Sequence, residues 1–190
     1  MRYFILITII GVFILPAASA QNSIIFTPYT EAGIQLNYTD EGAYGYPITY
    51  GISGDFSILF QNAFSAGLSL SLSSVETTGA YIQGIQLRGY SLTQYRLFAW
   101  LPIFGNTQGF SFGPRITAAA GIGKYRSTEH YFFLPSMSLS LDMLYRTENR
   151  IGIRIKTPLE WFFDRASTVK MRFAITVGFS YTLLGAEYEE

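Results

Sequence analysis

Residues 64–74, FSAGLSLSLSS, alternate apolar and small polar side chains almost without interruption. Such alternation describes a β-strand whose two faces meet different surroundings. The pattern recurs along the chain and predicts eight strands. They lie at about Thr27–Tyr38, Pro47–Phe60, Phe64–Ser74, Tyr90–Leu101, Phe110–Gly123, Leu134–Arg146, Arg150–Trp161 and Val169–Leu183. The eighth is the clearest. Val169, Met171, Phe173, Ile175, Val177, Phe179, Tyr181 and Leu183 oppose Lys170, Arg172, Thr176, Gly178, Ser180 and Thr182. The fourth is the least regular, because Phe98 and Trp100 fall on its polar face. Strands of about 10–14 residues exceed the usual 5–6 of soluble sheets and suit a bilayer crossing of about 9–11 residues with overhang.

Charge placement decides which face is wet. The apolar faces carry no Asp, Glu, Lys or Arg. The opposite faces carry Glu31, Asp55, Asp142 and Glu160 against Arg96, Arg115, Arg154, Lys156, Lys170 and Arg172, among Ser, Gly and Thr. Only 14% of the chain is charged, against about 25% in soluble domains, so this set would make a poor soluble surface. The inverted arrangement fits: Leu, Ile and Phe face lipid, and the charged set pairs inside a narrow lumen. Two aromatic girdles are expected at the membrane interfaces. The outer one is Tyr38, Tyr46, Tyr125, Tyr131, Phe132, Phe133, Trp161 and Phe162; the inner one is Phe60, Phe64, Phe110, Phe112, Tyr145 and Tyr181.

The connections alternate in length. Gln61–Ala63, Ile103–Gly109 and Thr147–Asn149 are short, whereas Thr39–Tyr46, Ser74–Gly89, Lys124–Phe133 and Phe162–Thr168 are longer. Short periplasmic turns and longer extracellular loops are the outer-membrane pattern. Pro28, Pro47, Pro102, Pro135 and Pro158 are expected near strand ends, where a lost ladder bond costs least. Pro114 is expected to delay pairing of the fifth strand until about Arg115.

The first 20 residues predict a signal peptide. Arg2 precedes the apolar run Tyr3–Leu15, and Ala18-Ser19-Ala20 forms a small-residue cleavage site before Gln21. The domain expected to remain is 21–190. Removing Arg2 from 13 basic and 13 acidic residues leaves a net charge of −1, which suggests no nucleic-acid partner. The absence of Cys excludes disulfides and thiolate metal sites. No cofactor or metal site is expected.

The last strand, Thr176-Val177-Gly178-Phe179-Ser180-Tyr181-Thr182-Leu183, is similar to the C-terminal assembly signal of outer-membrane barrels: polar, x, Gly, x, x, aromatic, x, hydrophobic. The whole region after residue 20 resembles the eight-stranded bacterial outer-membrane barrels of the OmpA/OmpX type. The resemblance implies an all-β, eight-stranded antiparallel up-and-down transmembrane β-barrel in the bacterial outer membrane. Insertion by the outer-membrane assembly machinery is implied too, with Gly178, Phe179, Tyr181 and Leu183 as the signal. The family signal usually ends the chain on an aromatic, whereas Leu184–Glu190 follow here.

Catalytic motifs are sparse. Gly109-Phe110-Ser111-Phe112-Gly113 matches a nucleophile elbow by letters, but that motif needs a strand–turn–helix context. His130 is the single His and lies with Glu129 in a loop at the opposite end of the barrel. The expectation is therefore a monomeric, non-enzymatic surface protein in membrane lipid, presenting loops for adhesion or another extracellular interaction, or supporting the envelope. Tyr81, Gln83, Gln86 and Arg88 in the longest loop are the binding candidates. Two alternatives stand beside it: a narrow channel lined by Arg154, Lys156, Lys170 and Arg172, and a lipid-modifying enzyme using Glu129 and His130.

Overall fold

The computed structural model describes residues 23–39, 44–45, 47–60, 64–76, 81–82, 85–86, 89–105, 109–126, 130–147, 150–163 and 168–184. Eight long strands follow one another: β1 Ser23–Thr39, β2 Ile48–Phe60, β3 Phe64–Glu76, β4 Tyr90–Trp100, β5 Phe110–Tyr125, β6 Ser136–Arg146, β7 Ile151–Phe162 and β8 Thr168–Leu184. Each pairs antiparallel with its neighbours in sequence, and β8 returns to β1, so the sheet closes. Closure satisfies the inter-strand backbone groups internally, which hydrocarbon demands of any spanning structure. A two-residue hairpin, Tyr81–Ile82 with Ile85–Gln86, stands apart from the barrel sheet.

The register fixes the barrel's dimensions. A line drawn perpendicular to the strands from Leu36 passes Met171, Trp161, Met137 and Ala118. It continues through Leu97, Leu68 and Phe56 and reaches β1 again at Phe26, ten residues from its start. Eight strands with a shear of ten, at about 3.3 Å rise and 4.8 Å spacing, give a tilt of about 40° and a Cα radius of about 8 Å. Only side chains fit in such a lumen.

Alternation sorts the faces as the sequence predicts. Ile34, Ile52, Leu70, Leu97, Ile116, Leu139, Ile153, Phe173 and Ile175 are among the large apolar side chains exposed on the outside. Ser69, Ser71, Gln94, Asp142, Arg154 and Thr176 are among the polar ones buried inside. At the short-turn end Phe64 and Phe60 stack at 4.7 Å, and Phe110, Tyr145 and Tyr181 face outward.

Three expectations need correction. Pro28 and Pro158 lie inside β1 and β7, not near strand ends. Both adjoin β8, whose ladders skip the rungs beside each proline; a proline has no N–H to donate. Pairing of β5 with β6 runs on past Pro114 to Phe110. The Pro114 carbonyl accepts Leu101 N–H at 3.0 Å, so its nitrogen faces β4. There the register to β5 shifts by one residue between Trp100–Arg115 and Phe104–Phe112, and no ladder donor is required. Finally, Tyr125, Phe132 and Phe162 leave the expected outer girdle and pack inside the barrel mouth, whereas Tyr131 and Phe133 are exposed. The Tyr38 side chain and Tyr46 lie outside the described residues.

The inside-out arrangement makes a direct prediction. Leu70→Arg, on the lipid face near mid-membrane, should destabilise the barrel by about 2–4 kcal/mol, whereas Ile48→Arg near the rim should cost at most about 1 kcal/mol. Reversible urea unfolding in lipid vesicles measures the difference.

Candidate functional site

The lumen contains three layers. The uppermost, at the long-loop end, is apolar: Val75, Tyr90, Leu92, Leu134 and Phe162 are buried, with Tyr125 and Phe132 packed against them. The Tyr90 ring meets Phe132 edge-on at 5.3 Å, and Tyr125 lies 4.7 Å from Phe132. Leu134 reaches this layer because Pro135 interrupts the β6 ladder while Leu134 N–H still bonds Gly121 O at 2.8 Å. Beneath it, Tyr90 donates its hydroxyl hydrogen to Gln35 Oε1 at 2.8 Å.

The second layer is a cross-lumen ion network. Arg172 pairs with Glu160 through Nη2 and through Nε at 3.0 Å. Arg96 lies 3.6 Å from Glu31 and 4.0 Å from Glu160. Gln94 ties the two pairs together. Its Nε2 donates to Glu160 at 2.7 Å and Ser136 at 3.0 Å, and its Oε1 accepts from Arg96 at 2.8 Å and Arg172 at 3.1 Å. Ser71 donates to Glu31 and Ser136 to Glu160. The Arg172 guanidinium also stands 5.5 Å from the Phe162 ring, which joins this network to the apolar layer.

The third layer lies toward the short turns. Arg115 Nη1 is 2.5 Å from Asp55 and 3.4 Å from Asp142; Arg154 is 3.0 Å from Asp142, and Lys156 is 3.4 Å from Asp55. Aromatic faces cover these cations. Phe98 lies 3.6 Å from Arg115, Trp100 4.5 Å from Arg154, and Tyr29 3.5 Å from Lys156. A cation over a ring is worth about 2 kcal/mol or more when desolvated. The two residues that break the alternation of the fourth strand are therefore cation platforms. The Tyr29 ring lies against Gly178, where a Cβ would run into it and into Pro28 O. Below this layer Ile25, Leu59 and Leu144 are buried at inward positions.

The structure thus places nine of the ten charges expected in the lumen: Glu31, Asp55, Arg96, Arg115, Asp142, Arg154, Lys156, Glu160 and Arg172. Lys170 is described only by its backbone pairings, with Phe162 on β7 and Asn37 on β1. The basic stripe is not free, since Arg154, Lys156 and Arg172 each contact a carboxylate. Sequence reading assigned no bridging role to Gln35 and Gln94, and missed the lumenal positions of Tyr29 and Tyr90 and the burial of Arg146. Alternation signalled Gln94 and Tyr29, while Tyr90 and Arg146 were masked by their places at strand ends. Pairing is less complete in the third layer: the hydroxyls of Thr27, Tyr29, Ser53, Ser57, Ser65, Ser69 and Thr176 have no hydrogen-bond partner among the described residues.

The remaining candidates scatter. Ser111 is buried at the short-turn end of β5. His130 is exposed beside Tyr125, fourteen residues along that strand, and its carbonyl accepts Tyr125 N–H at 3.3 Å. At about 3.3 Å per residue that is about 46 Å, far beyond the contact of about 3 Å that a nucleophile–base pair needs. Glu129, Gln83 and Arg88 lie outside the described residues; Tyr81 and Gln86 are described by their mutual backbone pairing. Phe179, Tyr181 and Leu183 face outward on β8, and Gly178 faces in.

A second polar cluster sits on the outside, at the long-loop rim. Tyr50 donates to Glu76 at 2.6 Å, Arg126 Nη1 lies 2.9 Å from Glu76, and Arg126 Nη2 contacts Tyr50 Oη at 3.2 Å and Ser74 Oγ. Arg126 reaches toward β3 past Gly89, whose carbonyl accepts Arg126 N–H at 3.0 Å. The Tyr50 hydrogen bond, then Arg126, hold the Glu76 carboxyl below the usual carboxylate range. A depressed folded-state pKa contributes stability above the unfolded value, and that contribution is lost as pH falls through the folded one.

An apolar exterior, a closed charged lumen and tilted antiparallel strands define an integral outer-membrane β-barrel. Among solved structures, Neisserial surface protein A is similar over 83% of this chain and 97% of its own, at 9% identity and a TM-score of 0.56. The N-terminal β-barrel domain of Pseudomonas aeruginosa OprF matches over 82% of this chain and 97% of its own, with 15% identity and a TM-score of 0.48. Ail of Yersinia pestis, in complex with the heparin analogue sucrose octasulfate, matches over 84% and 99%, with 12% identity and a TM-score of 0.49. At these identities the likeness is one of fold. No protein-family model and no curated protein sequence matches the chain.

Breaking a buried ion pair strands its partner. Glu160→Ala should destabilise the barrel by about 3–5 kcal/mol, and Glu160→Leu combined with Arg172→Met should recover much of that loss. Urea unfolding of the three chains in vesicles checks both.

Proposed function

We propose that the protein is a closed, non-conducting barrel, non-enzymatic and monomeric, whose function resides on its extracellular side. Its rigid wall presents the long loops for adhesion or another surface interaction and contributes to envelope support. The observation that carries this reading is the occlusion of the lumen. The apolar layer of Val75, Tyr90, Leu92, Leu134 and Phe162 lies across one mouth, and two paired ion layers fill the middle. Side chains that satisfy one another at hydrogen-bond distance have no reason to part for a passing solute. The channel alternative requires the basic side chains to be available to ions, whereas Arg96, Arg115, Arg154, Lys156 and Arg172 are each committed to a carboxylate.

The rest of the reading concerns biogenesis and loops. Residues 1–20 direct export and are cleaved, and the chain 21–190 enters the outer membrane through the assembly machinery, with Gly178, Phe179, Tyr181 and Leu183 as its signal. The segment containing Tyr81, Gln83, Gln86 and Arg88 is the candidate extracellular binding loop. Fold alone does not assign a ligand to it.

The refolded chain, shown to be folded by heat-modifiable gel migration, should give no discrete single-channel openings in a planar bilayer. Stable openings would overturn the closed-lumen reading. Deleting residues 77–88 should leave folding intact and abolish attachment of barrel-bearing cells to host surfaces; unchanged attachment would remove this loop from the site.

A further inference from the structure

The buried charges of the two ion layers do not balance. The layer nearer the loops sets Arg96 and Arg172 against Glu31 and Glu160, two against two. The layer nearer the turns sets Arg115, Arg154 and Lys156 against Asp55 and Asp142, three against two. Among the described residues, these nine form ion pairs only with one another, so one positive charge is left over. Arg146, closer to the turns, is outside this count. Burying a net charge is unfavourable unless a counter-charge accompanies it.

A place for that counter-charge lies between the layers. Strand register puts a hydroxyl at their boundary on two sides of the lumen. Ser69 on β3 is paired with Arg96 of the loop-side layer on one flank and Asp55 of the turn-side layer on the other. Thr176 on β8 stands between Glu31 and Lys156 in the same way. Both residues are buried, and neither hydroxyl has a hydrogen-bond partner among the described residues. Arg96 is loosely held. It donates to Gln94 at 2.8 Å, while Glu31 at 3.6 Å and Glu160 at 4.0 Å lie beyond hydrogen-bond length. Lys156 gives one of its three N–H donors to Asp55, at 3.4 Å, and rests on the Tyr29 ring at 3.5 Å. Although both cations point into the lumen, 10% of the Arg96 side chain and 5% of the Lys156 side chain remain accessible. That surface borders internal space.

Spare donors together with a spare positive charge call for a ligand that only accepts. The geometry points to a small monovalent anion, of the halide class, held between Arg96 and Lys156 and accepting hydrogen bonds from the Ser69 and Thr176 hydroxyls. Water alone would serve the hydroxyls and leave the charge unbalanced. A dianion would overshoot the single charge available, and a lumen about 8 Å in Cα radius, filled across by side chains, has no room for a larger organic anion. Asp55 Oδ1 is an unpartnered acceptor, and a water beside the anion would supply its donor. The site concerns the lumen alone. It is independent of what the loops bind, and its test is separate from the conductance measurement that tests the closed lumen.

Crystals of the chain refolded in sodium bromide test it, because bromide is a halide with a measurable anomalous signal and refolding admits it before the lumen closes. An anomalous difference peak should stand between Arg96 and Lys156, within reach of the Ser69 and Thr176 hydroxyls. Lys156→Met makes the count four against four and should lose the peak. Lys156→Arg keeps the charge and should retain it. Heat-modifiable migration shows whether each variant is folded; if Lys156→Met fails that check, Arg96→Gln takes its place with the same expected loss. Wild-type crystals with no bromide between the two layers would overturn the proposal and leave the gap to water. A peak undiminished in the charge-balanced variant would mean an adventitious ion only and overturn it equally.

Discussion

Hydrocarbon cannot hydrogen-bond to a peptide group, and the rest of this structure depends on that fact. A sheet in such a solvent must close. Eight strands closing with a shear of ten leave a cylinder about 8 Å in radius at the Cα atoms, too narrow for a hydrophobic core of the usual kind once the apolar side chains have gone outward. What fills the middle of the interior is Ser, Thr, Gly, Gln and the charges, with apolar and aromatic side chains above and below them and over the cations. Those charges are stable there because each contacts an opposite one: Arg172 with Glu160, Arg154 with Asp142, Lys156 with Asp55. The ion network is a consequence of the closure and also its filling.

The lumen is not uniform along its axis. Toward the loops an apolar layer covers a network in which Gln94 uses both donors and accepts twice, so little is left unsatisfied. Toward the turns the cations rest on Phe98, Trp100 and Tyr29, and seven hydroxyls lack partners among the described residues. The barrier to passage is therefore firmest at the loop end. The exterior is uneven as well, with shallow depressions over β1–β5.

Most of the fold was legible because a membrane strand states its two environments in every second residue. The eight strands, their inward charges and the outward apolar set followed from period two and the absence of charge on one face. The misreadings share a cause. Phe98 and Trp100 looked like interruptions, since an aromatic residue's partner is a cation on another strand: Arg115 on β5 and Arg154 on β7. Tyr125, Phe132 and Phe162 looked like girdle residues, since alternation weakens at strand ends and does not say which way the chain turns there.

What the sequence determined by itself is thus the local and periodic part: strand count, facing, and the inside-out distribution of polarity, because each depends only on residues near one another in the chain. The tertiary structure alone decided who meets whom. The ten-residue shear is a sum of registers around the whole barrel. The three layers of the lumen bring together residues as distant as Asp55 and Lys156, and Arg126 on β5 meets Glu76 on β3 across the strand between them. Such contacts arise from closure, and closure is a property of all eight strands at once.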